Sequence, residues 1–426
     1  MTSVIDRPAV STTTERRFAW LVVFLFFAGG VVSYIDRGAL GVVMPQIRKD
    51  FSLSNTDYAI IVNCFLIFYG IFYILGGWLA DRIGLRRAYP LMVVCCSIAN
   101  ILHGFASNLL SLCLCRALLG IAEGGFFPAA IRGATEWFPP ADRAKAIAVY
   151  FCGSSLGALL TPPIVAWTAL RFGWRGAFIT TGALGLLVVP FWFLLHRQIY
   201  RAYGMRDPAP ASAQAKEPSL PEESAVSLRL VLRRRKYWLL LISRALCDSV
   251  WFFYIFWMPG YFQEVRGFSL SKIGIFLWIP YLIADTGALL GAWVSSVLVK
   301  RGNSVDYSRR VVLVASAICC MAGAATGFPS HAVAALGLVS LALFGGLSYG
   351  SSINTAITEV IPKKHVAVLF GITGAAGTVL GAISQPLVGH LVDSVGYTFA
   401  FVGSGLAFAL ALVLLLGAGK IELIQE

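Results

Sequence analysis

The chain has 426 residues, 58% of them hydrophobic and only 13% charged, with a formal net charge of +13; soluble domains carry about 25% charged residues. That balance excludes both the polar surface of a soluble enzyme and the low hydrophobicity of a disordered chain. The basic excess would suit nucleic acid in a polar protein, but here it sits in short links between apolar runs, so the expected partner is the lipid bilayer and not nucleic acid.

A bilayer core about 30 Å thick takes roughly 20 residues of apolar helix. Twelve segments qualify, near 18–45, 57–80, 88–107, 109–131, 144–168, 174–195, 237–262, 273–299, 311–328, 331–358, 366–392 and 397–418. The first follows Arg16 and Arg17 like a signal peptide, but it runs past a signal-peptide core without a clear small-residue cleavage site, so it is kept as a span. The longest polar stretch, 196–236, holds Pro208, Pro210, Pro218 and Pro221 and divides the spans six and six. The expected class is therefore an all-α integral membrane protein of twelve transmembrane helices in two six-helix pseudo-repeats. The expected parts are an N-terminal bundle over 1–195, a cytoplasmic linker over 196–236 and a C-terminal bundle over 237–426.

With the N-terminus in the cytoplasm, 25 of the 34 Lys and Arg residues fall on that side and 6 outside. Cytoplasmic links of membrane proteins carry this excess, which predicts that both termini are cytoplasmic. An internal repeat supports the two halves: Gly76-Gly77-Trp78 before the basic link after span two has a counterpart in Gly291-Ala292-Trp293, followed by Lys300-Arg301-Gly302. The nine cysteines lie in apolar runs without metal-ligand spacing and read as small core residues. The histidines lie near links and span ends. No metal, no cofactor and no enzyme activity is expected, since no nucleophile–base pattern is present either.

Seven charges fall within the spans: Asp36, Arg37, Arg116, Glu123, Arg244, Asp248 and Asp285. Each costs about 2.5–3.5 kcal/mol to insert at a helix centre on the lower scale, so they must face one another or a wet cavity. Arg116 and Glu123 are about two turns apart on one face, and Arg244 and Asp248 are one turn apart. Arg37 lies about 28 Å along span one from Phe18. Its permanently charged fork fits a carboxylate through two parallel hydrogen bonds; the plainer alternative is an arginine snorkelling at a helix end. Asp36 and Glu123 are the proton-carrying candidates, because burial favours the neutral acid while a neighbouring arginine favours the anion. A permanently ionised structural pair is the alternative for both. Arg244 and Asp248 read equally as a structural pair or as substrate contacts. Asp285 requires either a proton or a polar partner.

The link Gly77-x-x-x-Asp81-Arg82-x-Gly84-x-Arg86-Arg87 resembles the loop signature of the major facilitator superfamily, where it latches the cytoplasmic gate. That resemblance covers essentially the whole chain. Tyr34-Ile35-Asp36-Arg37 and Arg116-x-x-x-Gly120-x-x-Glu123 are similar to the organic anion/proton symporter branch, which includes galactonate and hexuronate carriers and vesicular glutamate transporters. Gly153-Ser154-Ser155-Leu156-Gly157, Arg244-x-x-x-Asp248 and Ala284-Asp285-x-Gly287 look most like the hexuronate members. Those members lack the span-one aspartate and carry Glu where Asp248 stands. Galactonate carriers have Gln and Asn where Ser154 and about Ala375 stand.

The resemblance implies a proton-coupled symporter of the bacterial inner membrane that imports a small sugar acid by rocking its two halves, hexuronates first and aldonates or aldarates second. Tyr34 and Tyr69 match substrate-contacting tyrosines of the branch. Ser154, Ser155, Asn354 and Thr373 are further polar groups at suitable depth, and Trp251 is a candidate stacking surface. The expected partners are a small organic anion, protons and lipid, and the expected state is a monomer. Aromatic carboxylates, export of lipophilic cations and a non-transporting sensor are the rival readings.

Overall fold

A computed structural model describes residues 13–138, 140–203, 228–362 and 365–423. The first half comprises α1 (Thr13–Phe51), α2 (Asn55–Ile83), α3 (Leu85–His103), α4 (Leu109–Gly124), α5 (Phe126–Trp137), α6 (Pro140–Leu186) and α7 (Val188–Tyr203). The second comprises α8 (Leu228–Arg233), α9 (Arg235–Glu264), α10 (Leu270–Phe276), α11 (Trp278–Lys300), α12 (Val305–Met321), α13 (Ala332–Val360), α14 (Val366–Val395) and α15 (Tyr397–Gly417). No strand occurs among the described residues. Most of the expected linker, residues 204–227, lies outside them, with α7 running up to it and α8 following it.

The expected spans are present, with four interruptions, one of them at Leu187 in span six, between α6 and α7. Span four bends at Gly125 into α4 and α5, span eight at Leu277 into α10 and α11, and span nine ends in a 3₁₀ turn over Ala322–Gly327. Span five and the first part of span six together make α6, broken by Gly173 at φ 71°, ψ 173°. The reversal occupies a single residue, so eleven long apolar segments among the described residues hold the twelve expected crossings.

Glycine with positive φ makes the tightest reversals. Gly84, at φ 77°, is the whole joint between α2 and α3, and Gly302, at φ 87°, stands in the matching link after α11. Gly173 has its own counterpart in Gly396, at φ 86°, ψ 175°, between α14 and α15. After each comes an aromatic residue, then two residues, then Ala-Phe: Trp174…Ala177-Phe178 and Tyr397…Ala400-Phe401, with both phenylalanines fully buried. The two halves are thus parallel repeats, the arrangement that places a site between bundles.

We call the end that carries Thr13, Tyr203, Leu228 and Gly417 proximal, and the other distal. Helix starts at the distal end are capped by the local sequence. Ser54 and Asp57 form a reciprocal capping box on α2, as Asn108 and Ser111 do on α4. Close backbone approaches set the site helices. A Cβ on Gly153 would fall 2.3 Å from the Phe27 carbonyl of α1, and one on Gly120 would fall 2.4 Å from the Phe65 carbonyl of α2. The lipid-facing side is apolar, with Phe24, Leu289 and Ile383 all more than half exposed. A continuous apolar belt over these lengths makes the chain a multi-pass membrane protein. Cysteines only partly follow the core reading: Cys95 and Cys152 are exposed on this belt, where lipid suits a thiol as well as protein does.

Candidate functional site

Arg37 on α1 turns inward and is 5% exposed, which excludes the snorkelling alternative. Its Nε and Nη2 both donate to Oε2 of Glu123 on α4, at 3.0 and 2.7 Å. Three aromatic rings surround the guanidinium: Tyr34 at 4.6 Å, Tyr69 at 4.8 Å and Phe65 at 5.2 Å from its carbon to each centroid. Their π faces attract the cation without using its N–H groups. Glu123 is 2% exposed, so the pair sits in a dry environment where each charge depends on the other.

Asp36 precedes Arg37 in sequence, and a helix turns about 100° per residue, so the two side chains diverge. Asp36 is fully buried toward α3 and the second part of α6. Asn100 Nδ2 donates to its Oδ1 at 2.6 Å and to Thr181 Oγ1 at 2.8 Å, while Cys96 Sγ lies 3.9 Å from Oδ2. Asp36 is therefore not the carboxylate that occupies Arg37. Arg116, also fully buried, donates from Nη1 to the Arg37 carbonyl at 3.3 Å, while its Nε and Nη2 have no hydrogen-bond partner among the described residues.

In the second half, Arg244 and Asp248 form an ion pair within α9, and Arg244 Nε donates to Asn354 Oδ1 of α13 at 2.8 Å. Asp285 on α11 accepts a hydrogen bond from Ser155 Oγ of α6, a contact between the halves. One turn distal of Asp285, Tyr281 packs its ring 6.2 Å from that of Trp251. Tyr281 also lines a void of about 10 Å³ with Tyr34, Gly38, Thr161, Ile255 and Pro259, room for one water and no more. Two other candidates sit against helix backbone. Ser154 packs against Gly30 of α1, and Thr373 Oγ1 donates to the Leu369 carbonyl of its own helix at 2.8 Å.

The signature link lies at the proximal end. Gly77 lets α5 approach, since a Cβ there would meet Pro128 at 3.3 Å. Arg82 stacks over the Trp78 ring at 5.1 Å. The Arg86 carbonyl accepts from Trp192 Nε1 at 3.0 Å, and Arg87 is exposed. The side chain of Asp81 lies outside the described residues.

The sequence reading gave no role to the distal end. Arg48 donates to Glu264 Oε1 at 2.9 Å, and Asp393 accepts from the backbone and side chains of Asn55 and Thr56 at 2.7–3.0 Å. Gln263 Nε2 donates to the Val42 carbonyl at 2.8 Å and Tyr58 Oη to the Phe256 carbonyl at 2.6 Å. These hydrogen bonds between halves run from the Ser155–Asp285 level to the distal rim. Phe65 and Asn100 also escaped notice, because one more Phe or a single Asn hardly alters an apolar run. No group of three or more His, Cys, Asp or Glu is placed to hold a metal among the described residues.

Comparison with known proteins agrees with this architecture. The chain is 29% identical to a D-galactonate transporter of Escherichia coli O6:H1, over 98% of this chain and 99% of that protein. It is 25% identical to a hexuronate transporter of Escherichia coli K12, over 90% and 89%. To a probable sulfoacetate transporter of Cupriavidus necator it is 31% identical, over 88% and 87%. A bacterial homolog of the human lysosomal transporter Spinster, solved in an inward-facing, unoccupied conformation, superposes with a TM-score of 0.73 at 19% identity over 96% of each chain. The Major Facilitator Superfamily profile matches residues 26–385. Twelve crossings in two parallel repeats, the glycine-jointed basic link and this match lead to one conclusion: the chain belongs to the Major Facilitator Superfamily.

Proposed function

We propose that the protein is a proton-coupled symporter that imports a small sugar acid, a hexuronate first and an aldonate or aldarate second. The observation that carries the reading is the buried Arg37–Glu123 pair inside its aromatic cage. An ionised Glu123 occupies the guanidinium edge that a cargo carboxylate needs. A proton on Glu123 removes that competitor, and the cargo carboxylate accepts the Nε–H and Nη2–H bonds instead. Proton and anion then bind better together than apart, and the coupling is reciprocal. Asp36 and Arg116 form the second part of the proton-coupling group, and the Arg116 bond to the Arg37 carbonyl supports their link to the anchor. The Arg244–Asp248–Asn354 cluster serves the opposite wall.

The Lys and Arg distribution supports a cytoplasmic proximal end in a bacterial inner membrane. The distal seal is then external. Opening the seal and closing the proximal end around the signature link completes alternating access. The galactonate and hexuronate relatives support sugar acids as cargo, and the sulfoacetate relative keeps other organic anions as the second choice.

The test is uptake of labelled D-galacturonate, D-glucuronate and D-galactonate into proteoliposomes. At least one should accumulate when an inward proton gradient is imposed, and Arg37→Lys should abolish the accumulation. Equal uptake with and without the gradient would overturn symport, and full uptake by Arg37→Lys would remove the anchor.

A further inference from the structure

Asp285 differs from the other carboxylates within the spans. Glu123 is paired with Arg37, Asp248 with Arg244, and Asp36 is buried beside Asn100 near Arg116. Asp285 has no cation as partner among the described residues. Its Oδ1 accepts from the Ser155 hydroxyl across the halves, and Oδ2 accepts no hydrogen bond from the described residues while retaining access to open space. An ionised carboxylate in that position supplies acceptors and no donors.

Its neighbours lead to the ring that covers the anchor. Ser155 lies one turn proximal of Ala158, which lines the small void with Tyr34 and Tyr281, and Tyr34 is the ring over Arg37. Tyr281 is one turn distal of Asp285 on α11, with Trp251 against it. One side of this centre therefore offers a permanent cation in an aromatic cage. The facing side offers an open carboxylate oxygen, a hydroxyl and two aromatic rings.

We infer that Asp285, seated on Ser155, is the cargo-binding residue that selects polyhydroxylated acids, its carboxylate accepting hydrogen bonds from cargo hydroxyls while Arg37 holds the acid group. This rests on the anion-symporter reading and narrows it. A hydroxylated acid satisfies Asp285, whereas an unsubstituted anion of the same shape leaves a desolvated carboxylate without donors. That is the situation in which a binding site discriminates most strongly. Loss of two hydrogen bonds to a charged acceptor weakens binding by on the order of 100-fold.

The experiment measures dissociation constants on the purified full-length protein by calorimetry. The hydroxylated probes are D-galacturonate, D-glucuronate and D-galactonate, and the stripped analogues are tetrahydropyran-2-carboxylate for the uronates and hexanoate for galactonate. The wild-type protein should bind the best hydroxylated acid on the order of 100-fold more tightly than its stripped analogue. Asp285→Asn should reduce that ratio to less than about ten by weakening only the hydroxylated acid. Asp285→Ser, which also lacks the charge, provides the same comparison if the asparagine variant does not fold. An undiminished ratio in the folded variant overturns the inference, including the case in which gradient-driven accumulation alone is lost, as a proton carrier would show. Preferential binding of sulfoacetate or the stripped acids by the wild type overturns it too, but leaves the anion-symporter reading intact. Absence of binding by every anion tested takes down that reading itself.

Discussion

Glu123 and Arg37 carry the sharpest consequences at the level of single side chains. Glu123→Gln keeps the size of the acid but cannot ionise, so Arg37 is permanently available. Anion binding should become independent of pH between 5 and 8, while proton-driven accumulation falls to background. Binding titrations across that range, paired with uptake, check both outcomes; retained accumulation would remove Glu123 from the coupling. The sign follows from competition, since in the wild-type protein lower pH populates neutral Glu123 and strengthens anion binding. Phe65→Leu removes one wall of the cage and no hydrogen bond. With cation–π contacts worth about 1–2 kcal/mol when desolvated, anion affinity should fall by about tenfold, whereas Phe65→Tyr should stay within about threefold of wild type. All seven in-span charges were legible in the sequence, because charge in an apolar run is conspicuous. The pairing of Arg37 was not, because Asp36 is adjacent in sequence yet points to Asn100, and the partner comes from a helix 86 positions away.

Helices and their joints turn small residues into placement of the site. Gly120 allows α4 to lie against α2 at the level of Phe65 and Tyr69. In Gly120→Ala the added methyl meets backbone, so α2 must shift together with two rings of the cage. Overpacking of this kind costs about 1–3 kcal/mol, and the variant should show both a lower Tm and weaker anion binding; normal affinity would separate helix spacing from the cage. Gly84→Ala acts differently. Nothing stands within 4 Å of the added atom, and the penalty comes from φ 77° alone. About 1 kcal/mol of lost stability is expected, seen as a small drop in Tm with anion affinity unchanged. Span number and halves were readable because twenty apolar residues leave few alternatives. The breaks at Gly125 and Leu277 were not, since each lies inside an apolar run and depends on neighbouring helices, whereas the link that holds Gly173 was marked by Arg171 and Arg175.

The whole molecule is two repeats with a polar clamp at the distal rim. Arg48–Glu264 and the Asp393 contacts with Asn55 and Thr56 hold the distal rim. Arg48→Ala combined with Asp393→Ala should shift the population toward distal opening. Partly exposed ion pairs contribute about 0–1 kcal/mol each, so a several-fold rise is expected in labelling of a Val42→Cys reporter by an impermeant maleimide, in a background without other accessible cysteines. Unchanged labelling would mean that the apolar contacts around Ile255 and Pro259 hold the rim without these bonds. The sequence hinted at two repeats but not at their clamp, because its partners belong to different halves and none lies within an apolar run's centre.

Asp393 gives that clamp a particular thermodynamic character. Its carboxylate takes N–H groups from the first turn of α2, groups that any helix start leaves free for solvent. When the halves part, water can replace every one of those bonds on both sides, so rupture at the rim is nearly an even trade. The Arg37 centre has no such replacement, because separating its charges in a dry interior strands both of them. Turnover should therefore be limited at the core of the membrane, with the outer closure acting as a catch that hydration releases at little expense.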